Sequence, residues 1–218
     1  MSTKAFFFDA YGTLFDVHAA TRQYAEKLGP DAAQLSATWR TKQLEYTWTR
    51  TLMSRYADFW DLTQQALDYA FEQFPSANRE VRQDLLDAYW RLEAFPEVLV
   101  VLTKLKDEGY VTGILSNGSS GMLSAAVKSA GLDDVIDHEI SVDRIEVFKA
   151  LPEVYQMVLD DTGFSAAEIS FQSSNRWDIA GAAAFGFKTV WINRGNMPDE
   201  YADLSPDLTL SDLNGLTG

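Results

Sequence analysis

Asp9 closes an apolar run, Ala5-Phe6-Phe7-Phe8, and Gly12 and Thr13 interrupt the chain just after it. A carboxylate there would stand at the end of a buried strand, where cationic neighbours and partial exclusion of water make an aspartate a nucleophile. An aspartate that only caps the following turn has the same local sequence, so the motif alone leaves both readings open. Further polar groups follow later apolar runs. Ser116-Asn117-Gly118-Ser119 offers hydroxyl and backbone N–H groups to an anion, or is an ordinary turn with a serine cap. Ser173-Ser174-Asn175-Arg176-Trp177-Asp178 ends in a carboxylate that a helix start would also favour through its macrodipole. Lys149 lies before the helix opened by Pro152, where a lone lysine is ordinarily solvated. As a set the three say more: Asp9, Lys149 and Asp178 would meet at one sheet edge, the ammonium between two carboxylates and keeping Asp9 ionised.

Only a parallel sheet brings those positions together. After Pro96 the chain repeats helix, glycine, strand: a helix over 97–108 before Gly109 and a strand over 110–116, a helix over 122–130 before Gly131 and a strand over 139–142. The same order returns with a helix over 152–162 before Gly163 and a strand over 169–172, then a helix over 178–185 before Gly186 and a strand over 188–193, with a last short strand over 207–210. A glycine just past each helix is the expected left-handed cap. The fold class is therefore α/β, a doubly wound, Rossmann-like parallel sheet. Residues 16–95 break this pattern with helical periodicities only, over 17–28, 32–56, 59–74 and 78–94. They are expected to form an all-helical cap subdomain inserted into a core of residues 1–15 and 96–218.

Composition limits the partners. The chain has 218 residues, 46% apolar, enough for one sizeable core with an inserted module. The formal net charge of −14 argues against nucleic acid or anionic membrane as partners, both of which are bound by neutralising phosphates. An anionic small substrate would also be repelled at long range, so its site must carry local cations. With no cysteine, neither disulfides nor a thiolate nucleophile is available. That absence, and the lack of a signal-like start or long apolar run, fit a cytoplasmic protein.

Asp9-Ala10-Tyr11-Gly12-Thr13, Ser116-Asn117-Gly118, Lys149 and Ser173-Ser174-Asn175 to Asp178, in this order, resemble the four motifs of the haloacid dehalogenase superfamily, and within it the (S)-2-haloacid dehalogenases. Trp39 to Trp48 is similar to the cap helix that brings an arginine, here Arg40, over the site. The resemblance implies that Asp9 displaces halide from a short 2-haloacid, forming an ester that water hydrolyses to the 2-hydroxy acid. Asp178 is the expected general base, with Lys149 and Asn175 orienting it; holding Lys149 is its alternative role. Arg40 and Asn117 would accept the halide, while Ser116 and the N–H groups of Ala10, Tyr11 or Asn117 hold the carboxylate. Leu44, Phe59 and Trp177 would wall the halogen, and Thr13, Tyr155 and Ser173 support the nucleophile and lysine. No metal or cofactor is implied. Phosphatases of this superfamily place a second aspartate where Tyr11 stands and add acidic residues near the fourth motif to hold Mg²⁺. A Mg²⁺-dependent phosphatase and a non-catalytic binding module are the rival functions. Two departures stand out: Ala150 where the family usually has proline, and Arg176, whose role the sequence does not give. Trp39, Tyr46 and Met53 share a stripe suited to packing within the cap or to a homodimer.

Overall fold

The computed structural model describes residues 2–217. At its centre β1 (Ala5–Phe8) buries Phe7 and Phe8 completely, as a strand covered on both faces must. It is flanked by β2 (Val111–Ser116) and β4 (Ile169–Ser173), with Phe8 level with Ile114 on one side and Gln172 on the other. Outside these lie β3 (His138–Ser141), β5 (Lys188–Ile192) and β6 (Leu208–Leu210), giving the order β3-β2-β1-β4-β5-β6, all parallel. The order reverses beside β1. Crevices at such switch points open beyond the carboxyl ends of the strands, which is where Asp9, Asn117 and Ser174 lie.

Between β1 and the helix that precedes β2, the chain forms α1 (Ala19–Gln23), α2 (Ala25–Leu28), α3 (Ala32–Leu52), α4 (Phe59–Gln73) and α5 (Arg82–Trp90). The pair α3 and α4 is joined by Trp39, whose indole Nε1 donates to the Thr63 carbonyl at 2.8 Å, and by Gln43, whose amide donates to Thr63 Oγ1 at 2.7 Å. Trp39 is buried in this contact, which removes it from any exposed stripe; Tyr46 is half-buried and Met53 exposed. The two chain crossings run side by side: Phe95 N donates to Leu14 O and Asp16 N to Glu93 O. The later helices are α6 (Val98–Asp107), α7 (Ser120–Ser129), α8 (Pro152–Thr162) and α9 (Arg176–Phe185). No helix among the described residues is long and apolar enough to cross a membrane.

Several boundaries differ from the periodicity. The 17–28 helix is two, because Tyr24 leaves helical geometry (φ −109°, ψ 15°). The 32–56 helix ends at Leu52, where Ser54 turns left-handed at φ +53° and Arg55 N closes on Arg50 O without a glycine. The 78–94 helix starts with a 3-10 turn capped by Asn78 and ends at Trp90. Most consequential is α9. It begins at Arg176, since Asn175 is extended and its carbonyl receives the N–H of Asp178 and Ile179; Asp178 therefore lies inside the first turn, facing inward.

Candidate active site

The backbone beyond β1 curls over itself. Asp9 N still donates to Gln172 O at 2.8 Å, after which the Ala10 carbonyl receives the N–H of Thr13, Leu14 and Phe15. Gly12 sits at φ +100°, and a Cβ there would come within 3.1 Å of Ser174 Oγ, so glycine serves both the turn and the close approach. The N–H groups of Ala10 and Tyr11 donate to no described residue, although both residues are buried. Orphaned buried donors at a strand end are what an incoming anion would complete.

Asp9 is 6% exposed and held by three donors. Thr13 Oγ1 and Asn175 Nδ2 both donate to Oδ2 at 2.9 Å, and Lys149 Nζ stands 3.2 Å from Oδ1. Thr13 Oγ1 in turn accepts from Ser174 N at 2.8 Å, and the buried Ser173 hydroxyl accepts from Asn175 N at 3.1 Å. The loop between β4 and α9 is thereby folded onto the nucleophile. Asn175 thus binds the nucleophile itself, where the sequence reading gave it to the orientation of Asp178.

Lys149 is buried and lies between two carboxylates, its second contact being Asp178 Oδ2 at 2.8 Å. The ring of Phe171 lies beneath it, 5.0 Å from Nζ. Its backbone N–H donates to Asn117 Oδ1 at 2.9 Å, and the Lys149–Ala150 peptide is cis. Burial disfavours the ammonium, but Asp178 and Asp9 outweigh it and hold the lysine pKa above its ordinary 10.5. At an effective dielectric near 20 the contact with Asp9 is worth about 5 kcal/mol of gross attraction before desolvation. Asp178, with no exposure, gives its other oxygen to the Tyr155 hydroxyl at 2.8 Å. Burial raises its carboxyl against the pull of Lys149, with Asp9 adding to the rise. The Tyr155 hydroxyl is pushed well up by burial and then by Asp178, so it remains a donor.

Above this cluster, Arg40 of α3 donates from Nη2 to Tyr11 O and from Nη1 to Gln43 Oε1, both at 2.8 Å. Neither partner is charged, and no carboxylate among the described residues forms an ion pair with Arg40. With Leu44, one turn on, it lines a cleft of about 510 Å³ that also includes Gly12, Ser174, Asn175 and Arg194. Ser116 accepts from Gly118 N at 2.9 Å, and Asn117 Oδ1 accepts from Lys149 N while its Nδ2 donates to no side chain or carbonyl among the described residues. Tyr11 stacks on Tyr89 with ring centres 5.9 Å apart and meets Phe59 at a tilt of 37° with centres 5.8 Å apart. Phe59 is therefore a buried backing for Tyr11. Trp177 meets Trp48 edge-on at 5.4 Å and lines a separate groove with Ala150 and Gly181, outside the Arg40 cleft.

Sequence reasoning missed Gln43, which is buried and binds Arg40, Thr63 and Tyr89; its place three residues after Arg40 on one helix was the available signal. It also missed Gly181, and it placed Gly118 in a motif without the packing reason for a glycine there. A Cβ on Gly118 would fall 2.4 Å from the Tyr11 ring, and one on Gly181 would fall 2.4 Å from the Tyr155 hydroxyl. Arg176 acquires a role: buried, it donates to Asp199 Oδ1 at 2.5 Å and to the carbonyls of Tyr201 and Leu204, pinning the loop after β5 to the start of α9. His18 is held by Ser36, its Nδ1 being 2.8 Å from Ser36 Oγ, and burial lowers its pKa; it does not reach Asp9. No group of three or more His, Asp or Glu side chains placed to hold a metal ion occurs among the described residues.

A family model described as haloacid dehalogenase-like hydrolase matches residues 3–186. The (S)-2-haloacid dehalogenase 1 of Pseudomonas sp. (strain CBS-3) is 49% identical over 214 residues, covering 98% of this chain and 94% of that protein. The (S)-2-haloacid dehalogenase 4A of Burkholderia cepacia is 48% identical over 201 residues, covering 92% and 87%. Among solved structures, the L-2-haloacid dehalogenase from Xanthobacter autotrophicus with chloropropionic acid covalently bound superposes with a TM-score of 0.88 at 35% identity, covering 99% of this chain and 97% of that one.

Proposed function

This chain belongs to the haloacid dehalogenase-like hydrolases and, within them, to the (S)-2-haloacid dehalogenases, and on that premise we propose that it converts short (S)-2-haloalkanoic acids to (R)-2-hydroxyalkanoic acids through an ester on Asp9. The observation that carries the reading is a buried carboxylate fixed by three donors beneath a guanidinium that has no carboxylate partner among the described residues. In the first step an Asp9 oxygen attacks C2 in line, the carbon–halogen bond breaks, and halide leaves towards Arg40 and Asn117 Nδ2. The substrate carboxylate is met by the N–H groups of Ala10 and Tyr11 and by the Ser116 hydroxyl. Halide is stable as an anion, so no proton donor is needed at the position of Tyr11.

Esterification removes the charge of Asp9. Lys149 then has Asp178 as its one anionic partner, and a water on the Asp9 ester faces a carboxylate whose affinity for protons burial has raised. Asp178 takes that proton while Tyr155 and Lys149 keep it in place. Water adds to the carboxyl carbon of Asp9, the ester bond breaks there, the departing alkoxide oxygen takes back the proton held by Asp178, and the alcohol leaves with the configuration inverted in the first step. Residues 16–95 act in this reading as a cap that carries Arg40 and Leu44 over a core of residues 1–15 and 96–218. Cytoplasmic location and a homodimer through the exposed end of α3 complete the proposal; a monomer by size-exclusion chromatography with light scattering at micromolar concentration removes the dimer.

The test is halide release from each enantiomer of 2-chloropropionate and from chloroacetate, with EDTA present, for wild type and Asp9→Asn. Halide from the (S) enantiomer by wild type alone is expected. No halide from any of the three, or hydrolysis of a phosphate ester that EDTA abolishes, overturns the reading.

A further inference from the structure

We propose that Arg194, which follows β5 and belongs to none of the motifs above, is a positioning residue for the nucleophile: it latches the two chain crossings so that Thr13 holds Asp9 at its attacking angle. The inference rests on Asp9 being the nucleophile. Arg194 Nη2 donates to the Thr13 carbonyl at 3.0 Å. The same nitrogen lies 2.6 Å from Glu97 Oε1 at the entry to α6, and the guanidinium carbon is 3.7 Å from the centre of the Phe95 ring. Thr13 sits at the incoming crossing, whereas Phe95 and Glu97 belong to the outgoing one, and the two crossings are paired through Leu14 and Phe95. One side chain therefore touches the nucleophile loop and both ends of the helical insertion.

The contact with Glu97 lacks the alignment of a hydrogen bond, since neither Glu97 Oε1 nor Arg194 Nε finds a directed partner among the described residues. Thr13 O is thus the acceptor that orients the guanidinium, while Glu97 supplies charge and Phe95 a flat seat. Thr13 in turn donates its hydroxyl to Asp9 Oδ2. Carbonyl and hydroxyl belong to one residue, so a shift of the first turns the second. The ion pair is mostly out of water, the two side chains being 20% and 11% exposed, which limits screening. Planarity matters here. A lysine can keep the charge against Glu97 but cannot lie flat on Phe95 while reaching Thr13 O.

The experiment uses full-length Arg194→Met, Arg194→Lys and Glu97→Gln beside wild type and Asp9→Asn, with steady-state kinetics on (S)-2-chloropropionate and thermal unfolding of each. Arg194→Met is expected to lower kcat by about 10- to 100-fold with KM within about threefold, as a misplaced reacting group does. Arg194→Lys is expected to restore only part of kcat, and Glu97→Gln to fall between it and wild type. A raised KM with kcat intact would make Arg194 a substrate-binding cation and overturn the latch. A lowered melting temperature with kcat per folded molecule unchanged would make it purely structural. If Arg194→Met does not fold, Arg194→Lys decides: wild-type kcat overturns the proposal. Wild type that releases no halide sinks the dehalogenase reading and this inference with it, whereas an active wild type with unaffected variants sinks the latch alone.

Discussion

At the level of single side chains, the site is organised by one ammonium shared between two carboxylates, and its pH behaviour follows from that arrangement. The folded pKa of Lys149 is raised, so the stability this ion contributes is fully present below its unfolded value of 10.5 and is lost only as pH rises through the higher folded value. The alkaline limb of the halide-release profile is accordingly expected above that of an ordinary lysine; a limb near neutrality would show that a different group sets it. Tyr155→Phe would leave Asp178 Oδ1 without its donor. The buried acceptor so orphaned costs about 1–3 kcal/mol. Hydrolysis of the ester should slow by roughly tenfold or more while alkylation of Asp9 changes little, seen as a larger halide burst followed by slower turnover. Equal effects on both steps would mean that Asp178 only holds Lys149. Asp9, Ser116 and Ser173 were legible because each closes or directly follows a strand of the same parallel sheet, so strand ends alone bring them to one edge. The charge order at Lys149 followed from residue types. Spacing does not say which of two carboxylates an amide will meet, and Asn175 meets Asp9; nor does it say that Trp177, in the first turn of α9, meets Trp48.

Elements set how closely those side chains can approach. Helix α9 lies on Tyr155 and Ala150 only because Gly181 has no Cβ; an added methyl would fall 2.4 Å from the Tyr155 hydroxyl and 2.6 Å from Ala150 Cβ. Gly181→Ala is expected to destabilise the fold by about 1–3 kcal/mol in urea titration and to lower kcat, since the hydroxyl that must move is the one on Asp178. Unchanged stability would mean that α9 can tilt away freely. This dependence was not legible: a glycine inside a helical pattern announces weak propensity, and the identity of its neighbour comes only from packing. The parallel strands and most helix ends were legible for the opposite reason, since glycine caps such as Gly163 and Gly186 and a proline start such as Pro152 are local signals. Where the signal was not glycine, as at left-handed Ser54, the predicted end of α3 ran too far.

Across the whole molecule, a net charge of −14 opposes an anionic substrate while Arg22, Arg40 and Arg194 line one cleft beside Asn175, which holds Asp9. Arg22 and Arg194 are paired with Asp16 and Glu97, so the long-range field is that of the acidic surface. Raising ionic strength from about 0.01 to 0.15 M with sodium sulfate shortens the Debye length from about 30 to 8 Å. kcat/KM for (S)-2-chloropropionate is expected to rise by about twofold; a steep fall would mean that the arginines steer the substrate from a distance. Charge and composition made this conflict visible from the sequence, but not its resolution, because the three arginines come from separate parts of the chain and meet only when α1, α3 and the loop after β5 are in place. The most direct test of the whole account follows oxygen through one turnover. With enzyme in excess over (S)-2-chloropropionate in ¹⁸O-labelled water, the label should be found in the carboxylate of Asp9 by mass spectrometry of the peptide, and the lactate should be unlabelled. Labelled lactate with an unlabelled Asp9 would mean that water attacks the substrate carbon directly and that no ester forms.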